Sequence, residues 1–353
     1  SAASDVYKRQ VMITGDNRET AVSIAHDAGL YTGSARELVL TGSDLAQMSD
    51  KELKEKLPFL RVVARALPTD KSRLVRLSQE LGLVVGMTGD GVNDATALKR
   101  ADVGFAMGSG TEMAKDAGDI VILDDNFASI TRAILYGRTI FHSIRKFIVF
   151  QLTMNFCAVG VSLVGPFIGV DTPVTVMQML WINIIMDTLA GLAFAGEAPQ
   201  AAYMEEKPKS RREPIVTREM LGQILITGGY TILMCIAFLR LPTFREAFRF
   251  EDDFVGFMTA FFTLFVFCGI FNAFNSRTHR LNLLSNLKKN RNFLVVMLFV
   301  SIVQILLIYF GGTMFRTHAL SYHAIGDILM LAFTVVPFDL VRKIFERLSV
   351  KRS

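Results

Sequence analysis

The sequence predicts an α/β domain built on a parallel sheet, followed by an all-α bundle of six transmembrane helices. Three observations predict it. Up to residue 146 charged and apolar residues alternate, whereas from Phe147 onward long apolar stretches dominate. The early part repeats strand, turn and helix, the alternation of a parallel sheet covered by helices. Of the 353 residues 51% are hydrophobic and 20% charged, with a mean hydropathy of +0.37, more apolar than an ordinary soluble surface allows.

The elements follow in order. The opening 1–10, SAASDVYKRQ, has neither an apolar core nor a strand pattern and reads as a remnant leader foreign to the fold. Residues 11–13 form a short strand running into Thr14-Gly15-Asp16-Asn17, and 18–29 have helical spacing ending on Gly29. A polar stretch, 31–57, contains SDKELKEKL, a helix capped by Ser49. Residues 61–64 read as the next strand. Pro68-Thr69-Asp70-Lys71 opens a helix through 81, with Thr69 as its cap. Residues 83–87 form an apolar strand, 93–100 a helix, and 102–106 and 119–123 two more strands. The domain therefore runs over 11–126, and a stalk helix over 127–144 leads to the first apolar span.

Candidate chemistry sits after the strands. TGDGVNDATA, residues 88–97, sets Asp90 and Asp94, with Asn93 between them, at the carboxyl end of an apolar strand, where open parallel sheets present their ligands. Asp-Gly and Asn-Asp are also common in plain turns. Hard oxygen ligands here suit Mg²⁺, which takes one or two carboxylates and keeps phosphate oxygens and water. The Thr14-Gly15-Asp16 turn offers a hydroxyl for a phosphoryl oxygen, Lys71 an ammonium to neutralise it, and the Asp90, Asn93, Asp94 group a metal site. Together they form the electrostatic part of a phosphoryl-transfer site. No Asp-Lys-Thr-Gly-Thr strand supplies an attacking aspartate.

Six stretches approach the roughly 20 apolar residues that a spanning helix needs: 145–168, 174–195, 219–240, 254–275, 293–312 and 323–341. Arg138, Arg145 and Lys146 precede the first, Lys207, Lys209, Arg211 and Arg212 follow the second, and Lys288, Lys289 and Arg291 follow the fourth. The tail adds Arg342, Lys343, Arg347, Lys351 and Arg352, while the alternate loops GPFIGVDTP and GGTMFRTHALS hold almost no positive charge; Arg240, Arg245 and Arg249 in the remaining outer loop fit less well, though Glu246, Glu251, Asp252 and Asp253 accompany them. The positive-inside rule places the soluble domain and the C-terminus in the cytoplasm. Within the spans, Asp187 reads as the one acid well inside apolar sequence. Asn183 lies one turn before it and Asn155 in the adjacent span. Carboxylate and amide oxygens at this spacing suit a hard cation such as Ca²⁺. A buried hydrogen bond joining two helices is the alternative for Asn155.

The net charge of +5 is accounted for by membrane topology, so nucleic acid is not expected as a partner. The three cysteines, Cys157, Cys235 and Cys268, all lie in apolar stretches, excluding a disulfide framework or zinc site.

TGDN at 14–17, PTDKSRLV at 68–75 and MTGDGVNDATALKRADVGFAMGSGTEMAKDAGDIVILDDNF at 87–127 resemble the phosphorylation domain of P-type ATPases. The resemblance implies a haloacid-dehalogenase-like doubly wound sheet, here partial. It also implies roles: Thr14 and Gly15 contacting the phosphoryl group, Lys71 neutralising it, Asp90 ligating Mg²⁺, and Asn93 with Asp94 supporting the site. MQMLWINIIMDTLAGLAFAGEAP resembles the sixth membrane helix of calcium-transporting pumps, and QLTMNFCAVG the fifth in the plasma-membrane-type branch. By that resemblance Asn155, Asn183 and Asp187 would hold the transported Ca²⁺. Ala158 stands where reticulum-type pumps carry an acid, which implies one transported Ca²⁺ rather than two. The eighth-helix region offers the amides Asn272 and Asn275. The tail is shorter than the calmodulin-binding extension of animal pumps, pointing to a microbial pump in a plasma or inner membrane.

The resemblance runs from about Met12 to the C-terminus. In the family the phosphorylated aspartate, the ATP-binding and actuator domains and four membrane helices precede that point, so the chain is expected to be a C-terminal portion, inactive alone and partnered by the lipid bilayer and the remaining N-terminal portion. The alternatives are a pump for Mn²⁺, Na⁺ or H⁺, and a non-catalytic membrane protein retaining a phosphate and Mg²⁺ module.

Overall fold

The computed structural model describes residues 9–209, 213–285, 287 and 290–350. Most of the leader, and Arg211, Arg212, Lys288, Lys289, Lys351 and Arg352 among the basic residues, lie outside the described residues. The chain divides into two compact units, one of Ser1–Arg138 with Gln200–Glu213, the other of Thr139–Pro199 with Pro214–Ser353.

In the first unit the order is β1 (Met12–Ile13), α1 (Arg18–Asp27), β2 (Leu38–Thr41), α2 (Gly42–Gln47), α3 (Asp50–Lys56), β3 (Leu60–Ala64), α4 (Pro68–Glu80), β4 (Gly86–Gly89), α5 (Ala95–Arg100), β5 (Val103–Met107), α6 (Glu112–Ala117) and β6 (Ile120–Ile122). All pairing is parallel, in two three-stranded ladders ordered β1-β3-β2 and β4-β5-β6. Central β3 reads LRVVA, and its Leu60, Val62, Val63 and Ala64 are fully buried, as expected of a strand covered on both faces. β1 and β4, whose carboxyl ends carry the candidate loops, are the edge strands of their ladders.

Several local expectations shift. β2 lies in the stretch taken as polar, where alternating Leu38 and Leu40 pair with β3. Residues 83–85 are not strand; Leu83 and Val84 are exposed and β4 begins at Gly86. The helix expected over 93–100 opens as a 3₁₀ turn, Val92–Asp94. Thr69 does not cap α4: Leu67 is the N-cap, Pro68 occupies the first turn, and the Asp70 carboxylate accepts the Leu67 N–H at 2.9 Å. Ser49 caps α3 in a reciprocal box with Glu52, as the sequence implies.

Among the described residues, six helical segments are long and apolar enough to cross a membrane: Phe127–Ile168, Val176–Ala195, Arg218–Arg240, Phe254–Arg277, Arg291–Phe310 and Tyr322–Leu348. This is a multi-pass membrane protein. The elements are α7 (Phe127–Val164), α8 (Val176–Leu180), a π-helical turn (Trp181–Met186), α9 (Asp187–Ala195), α10 (Arg218–Arg240), α11 (Pro242–Ala247), α12 (Phe254–Arg277), α13 (Arg291–Phe310), α14 (Gly312–Phe315), α15 (Tyr322–Phe333) and α16 (Val335–Val350).

Helix α12 forms the middle of the second unit, with Phe257, Phe261, Phe262 and Phe265 fully buried. Phe238 of α10 stacks on Phe257 at 5.2 Å between ring centroids. Lipid is as apolar as these side chains, so close packing and interhelical hydrogen bonds hold such a bundle rather than exclusion of water. Gly269 permits a close approach: a Cβ there would lie 2.9 Å from Met154 Cε and 3.3 Å from Met186 Cε.

Candidate functional site

The candidate residues of the first unit form two local groups. Asp94, at the end of the 3₁₀ turn after β4, is 5% exposed. Its Oδ1 accepts the Lys71 ammonium at 2.5 Å, and its Oδ2 accepts the Asp90 and Gly91 N–H groups at 3.3 Å each. The strand β4 can pass this carboxylate only as glycine, because a Cβ at Gly89 would lie 2.4 Å from Asp94 Cβ. Lys71 is aimed by α4, which is clamped from behind. Arg73 donates to the carbonyls of Leu45 and Met48 at 2.7 Å each, and pairs with Asp50 at 2.8 Å. The hydrogen bonds from Arg76 and then Arg73 hold the Asp50 carboxyl below its ordinary value.

Asp90 is exposed, and its carboxylate accepts no hydrogen bond among the described residues. Its carbonyl accepts the Thr111 N–H at 2.8 Å, which fixes the loop. Asn93 is exposed on the same loop. No cluster of three or more His, Cys, Asp or Glu exists among the described residues. That arrangement fits Mg²⁺ and not a metal caged by protein, since one free carboxylate leaves the other positions to phosphate and water.

In the second group the Thr14 hydroxyl donates to Asp16 Oδ2 at 2.7 Å and accepts the Asp16 N–H at 3.1 Å. The loop is pinned to β3 through Thr14 N–H to Val63 O at 2.9 Å and Ala66 N–H to Thr14 O at 3.0 Å. Gly15 is exposed, and a Cβ there would meet nothing within 4 Å. Asp16 thus serves to orient the Thr14 hydroxyl. No hydrogen bond links this group to Lys71 and Asp94 among the described residues.

In the second unit Asp187 is 2% exposed, opens α9, and has an Oδ1 buried with no hydrogen-bond partner. Asn155 is half-buried and Asn183 exposed. Asn183 thus lies inside the π-helical segment Trp181–Met186 and Asp187 directly after it, and the two differ in burial. No hydrogen bond joins Asn155, Asn183 and Asp187 among the described residues.

Sequence reasoning missed a second buried acid. Asp339, in the last apolar segment, is fully buried and bonded to Arg342 at 2.7 Å and Lys343 at 2.9 Å. The basic residues three and four positions later were the available signal. Asn275 joins two spans: its Nδ2 donates to Val335 O at 3.1 Å and its backbone carbonyl accepts Lys343 at 2.8 Å, while its Oδ1 is buried with no hydrogen-bond partner. Asn272 is buried with its Nδ2 unpartnered.

Residues 171–345 match the family model of the C-terminus of cation-transporting ATPases, and residues 84–134 that of haloacid dehalogenase-like hydrolases. The chain is 40% identical over 328 residues to putative calcium-transporting ATPase 13, plasma membrane-type, of Arabidopsis thaliana, covering 91% of this chain and 32% of that protein. Calcium-transporting ATPase 2 of Schizosaccharomyces pombe is 38% identical over 334 residues, covering 93% and 25%. Calcium-transporting ATPase PAT1 of Dictyostelium discoideum is 39% identical over 345 residues, covering 88% and 31%. The chain spans about a quarter to a third of the length of these relatives.

Proposed function

This chain belongs to the P-type cation-transporting ATPases, and from that premise we propose that it is the C-terminal, ion-conducting portion of an ATP-driven calcium pump. The reading is carried by Asp187, a buried carboxylate whose Oδ1 has no protein partner, set directly after a π-helical turn inside a membrane span. An unpaired acid at that depth is expensive and marks an ion pathway, and π turns recur at functional sites. A desolvated cation is the partner it lacks. Carboxylate and amide oxygens suit a hard ion, and the relatives' names specify calcium.

In the soluble unit, the Thr14 hydroxyl and the open Gly15 turn hold the phosphoryl group, while Lys71 neutralises it. Asp94 keeps the Lys71 ammonium in place through its 2.5 Å contact. Asp90 would hold Mg²⁺ there, and the metal would supply further neutralisation of the phosphoryl charge. The phosphorylated aspartate lies in the N-terminal portion, where the relatives carry most of their length. Its strand adds to the open edges of β1 and β4, bringing the Thr14 and Asp94 groups to one phosphoryl group. Phosphorylation drives domain motion that alternates access to Asp187. The soluble unit and the C-terminus face the cytoplasm.

The complete protein is expected to form a calcium-dependent, hydroxylamine-sensitive phosphoenzyme from ATP, and this chain alone none. A phosphoenzyme on the isolated chain would refute the division of roles. A phosphoenzyme in the complete protein that answers to Mn²⁺ or Na⁺ but not to Ca²⁺ would refute the ion.

A further inference from the structure

The span that carries Asp187 is braced against α13 and the short α14 that follows it. Phe194 of α9 meets Phe293 of α13 edge-on at 5.7 Å between centroids, and Gln178 of α8 donates to the backbone carbonyl of Phe315 in α14 at 2.8 Å. Between these, among the described residues, one side-chain hydrogen bond reaches α13: Trp181 Nε1 donates to Gln304 Oε1 at 3.2 Å. Trp181 is 5% exposed and Gln304 fully buried.

Two features separate Gln304 from ordinary packing. The other serine or amide of the apolar part of α13, Ser301, satisfies its hydroxyl within the helix on Met297 O at 2.8 Å, whereas Gln304 reaches across to another span. Moreover its Nε2 is buried with no partner, a cost that an apolar side chain of the same size would avoid. Trp181 is the first residue of the π turn and Asp187 the first after it. A π turn is rare and persists where its surroundings fix it.

We propose that Gln304 is a positioning residue for the cation site: its amide oxygen holds the Trp181 indole and thereby fixes the π-helical turn that sets Asp187. This inference rests on the reading of Asp187 as the cation ligand.

The complete protein in membrane vesicles, with calcium as the probe, tests it through three variants and two readouts. Gln304→Met keeps the volume and strands the buried indole N–H, so half-saturating calcium for ATP hydrolysis should rise about threefold to tenfold with little change in maximal rate. The double variant Trp181→Phe with Gln304→Met removes both polar partners and should return toward the unmodified value. Trp181 is the single tryptophan of this chain, so in the chain itself Gln304→Met should also shift the emission to shorter wavelength. Asp187→Asn separates the two ideas. If it abolishes the calcium response while Gln304→Met leaves half-saturation unchanged, the inference fails and the site stands. If Asp187→Asn leaves the calcium response intact, the site reading fails and the inference with it. Equal loss of maximal rate in single and double variants, without a shift in half-saturation, would make Gln304 merely structural and overturn the proposal.

Discussion

Neutralising the two buried acids of the membrane unit should have opposite consequences. Asp339 is fully buried and balances Arg342 at 2.7 Å and Lys343 at 2.9 Å. Asp339→Asn keeps the shape but leaves both cations short of a counter-charge. Arg342 retains Glu346 at 2.8 Å and Lys343 retains the Asn275 carbonyl at 2.8 Å, so the loss is partial. Breaking a buried pair costs about 3–5 kcal/mol, and the surviving contacts place this case near 3 kcal/mol. For a unit of this size that corresponds to a fall in Tm of roughly 10 °C. Asp187 is buried to the same degree with an unpaired Oδ1. Asp187→Asn removes an uncompensated carboxylate, so without ions it should leave Tm unchanged or raise it by a few degrees, on the order of 1 kcal/mol. The assay is thermal aggregation of the detergent-solubilised chain followed by size-exclusion chromatography, with chelator present. If Asp187→Asn lowers Tm as much as Asp339→Asn, Asp187 is a structural group with a protein partner and the argument from its isolation collapses.

Other outcomes follow from the first unit. Lys71→Met should destabilise the β4 and α5 region by about 2–4 kcal/mol, because Asp94 then keeps only two 3.3 Å contacts; hydrogen exchange of peptides over 86–100 measures it, and adding Asp94→Asn should restore most of the protection. Gly89→Ala drives a methyl to within 2.4 Å of Asp94 Cβ, costing about 1–3 kcal/mol, and the same peptides should exchange faster. The Asp50 carboxyl lies below its ordinary 3.8 in the folded chain. Its contribution is therefore fully present above pH 3.8 and fades as pH falls through the lower folded value; exchange protection of α3 and α4, corrected for intrinsic rates, should show this acid loss, and Asp50→Asn should abolish it.

The residues explain what was legible in the sequence. The six spans, the Ser49 cap and the strand positions around Thr14 and Val62 depend on local periodicity and capping, which short windows carry. β2 was hidden because its pairing with β3 is non-local and its flanks are polar. Residues 83–85 look like strand by composition, yet pairing begins only at Gly86, opposite Val103. The Lys71–Asp94 contact was foreseeable in kind, since each follows the carboxyl end of one of two consecutive strands, but not its geometry. The π turn at Trp181–Met186 has no sequence code in a uniformly apolar helix, so the difference in burial between Asn183 and Asp187 was not legible from their spacing. The Trp181–Gln304 bond joins residues far apart in sequence, beyond the reach of any local pattern.

The most direct test of the central claim is ATP-driven radiocalcium uptake into vesicles bearing the complete protein, comparing the unmodified form with Asp187→Asn at equal expression. The account predicts uptake in the first, and in the second loss of uptake at all calcium concentrations with the folded protein intact by size exclusion. Undiminished uptake by Asp187→Asn would contradict it.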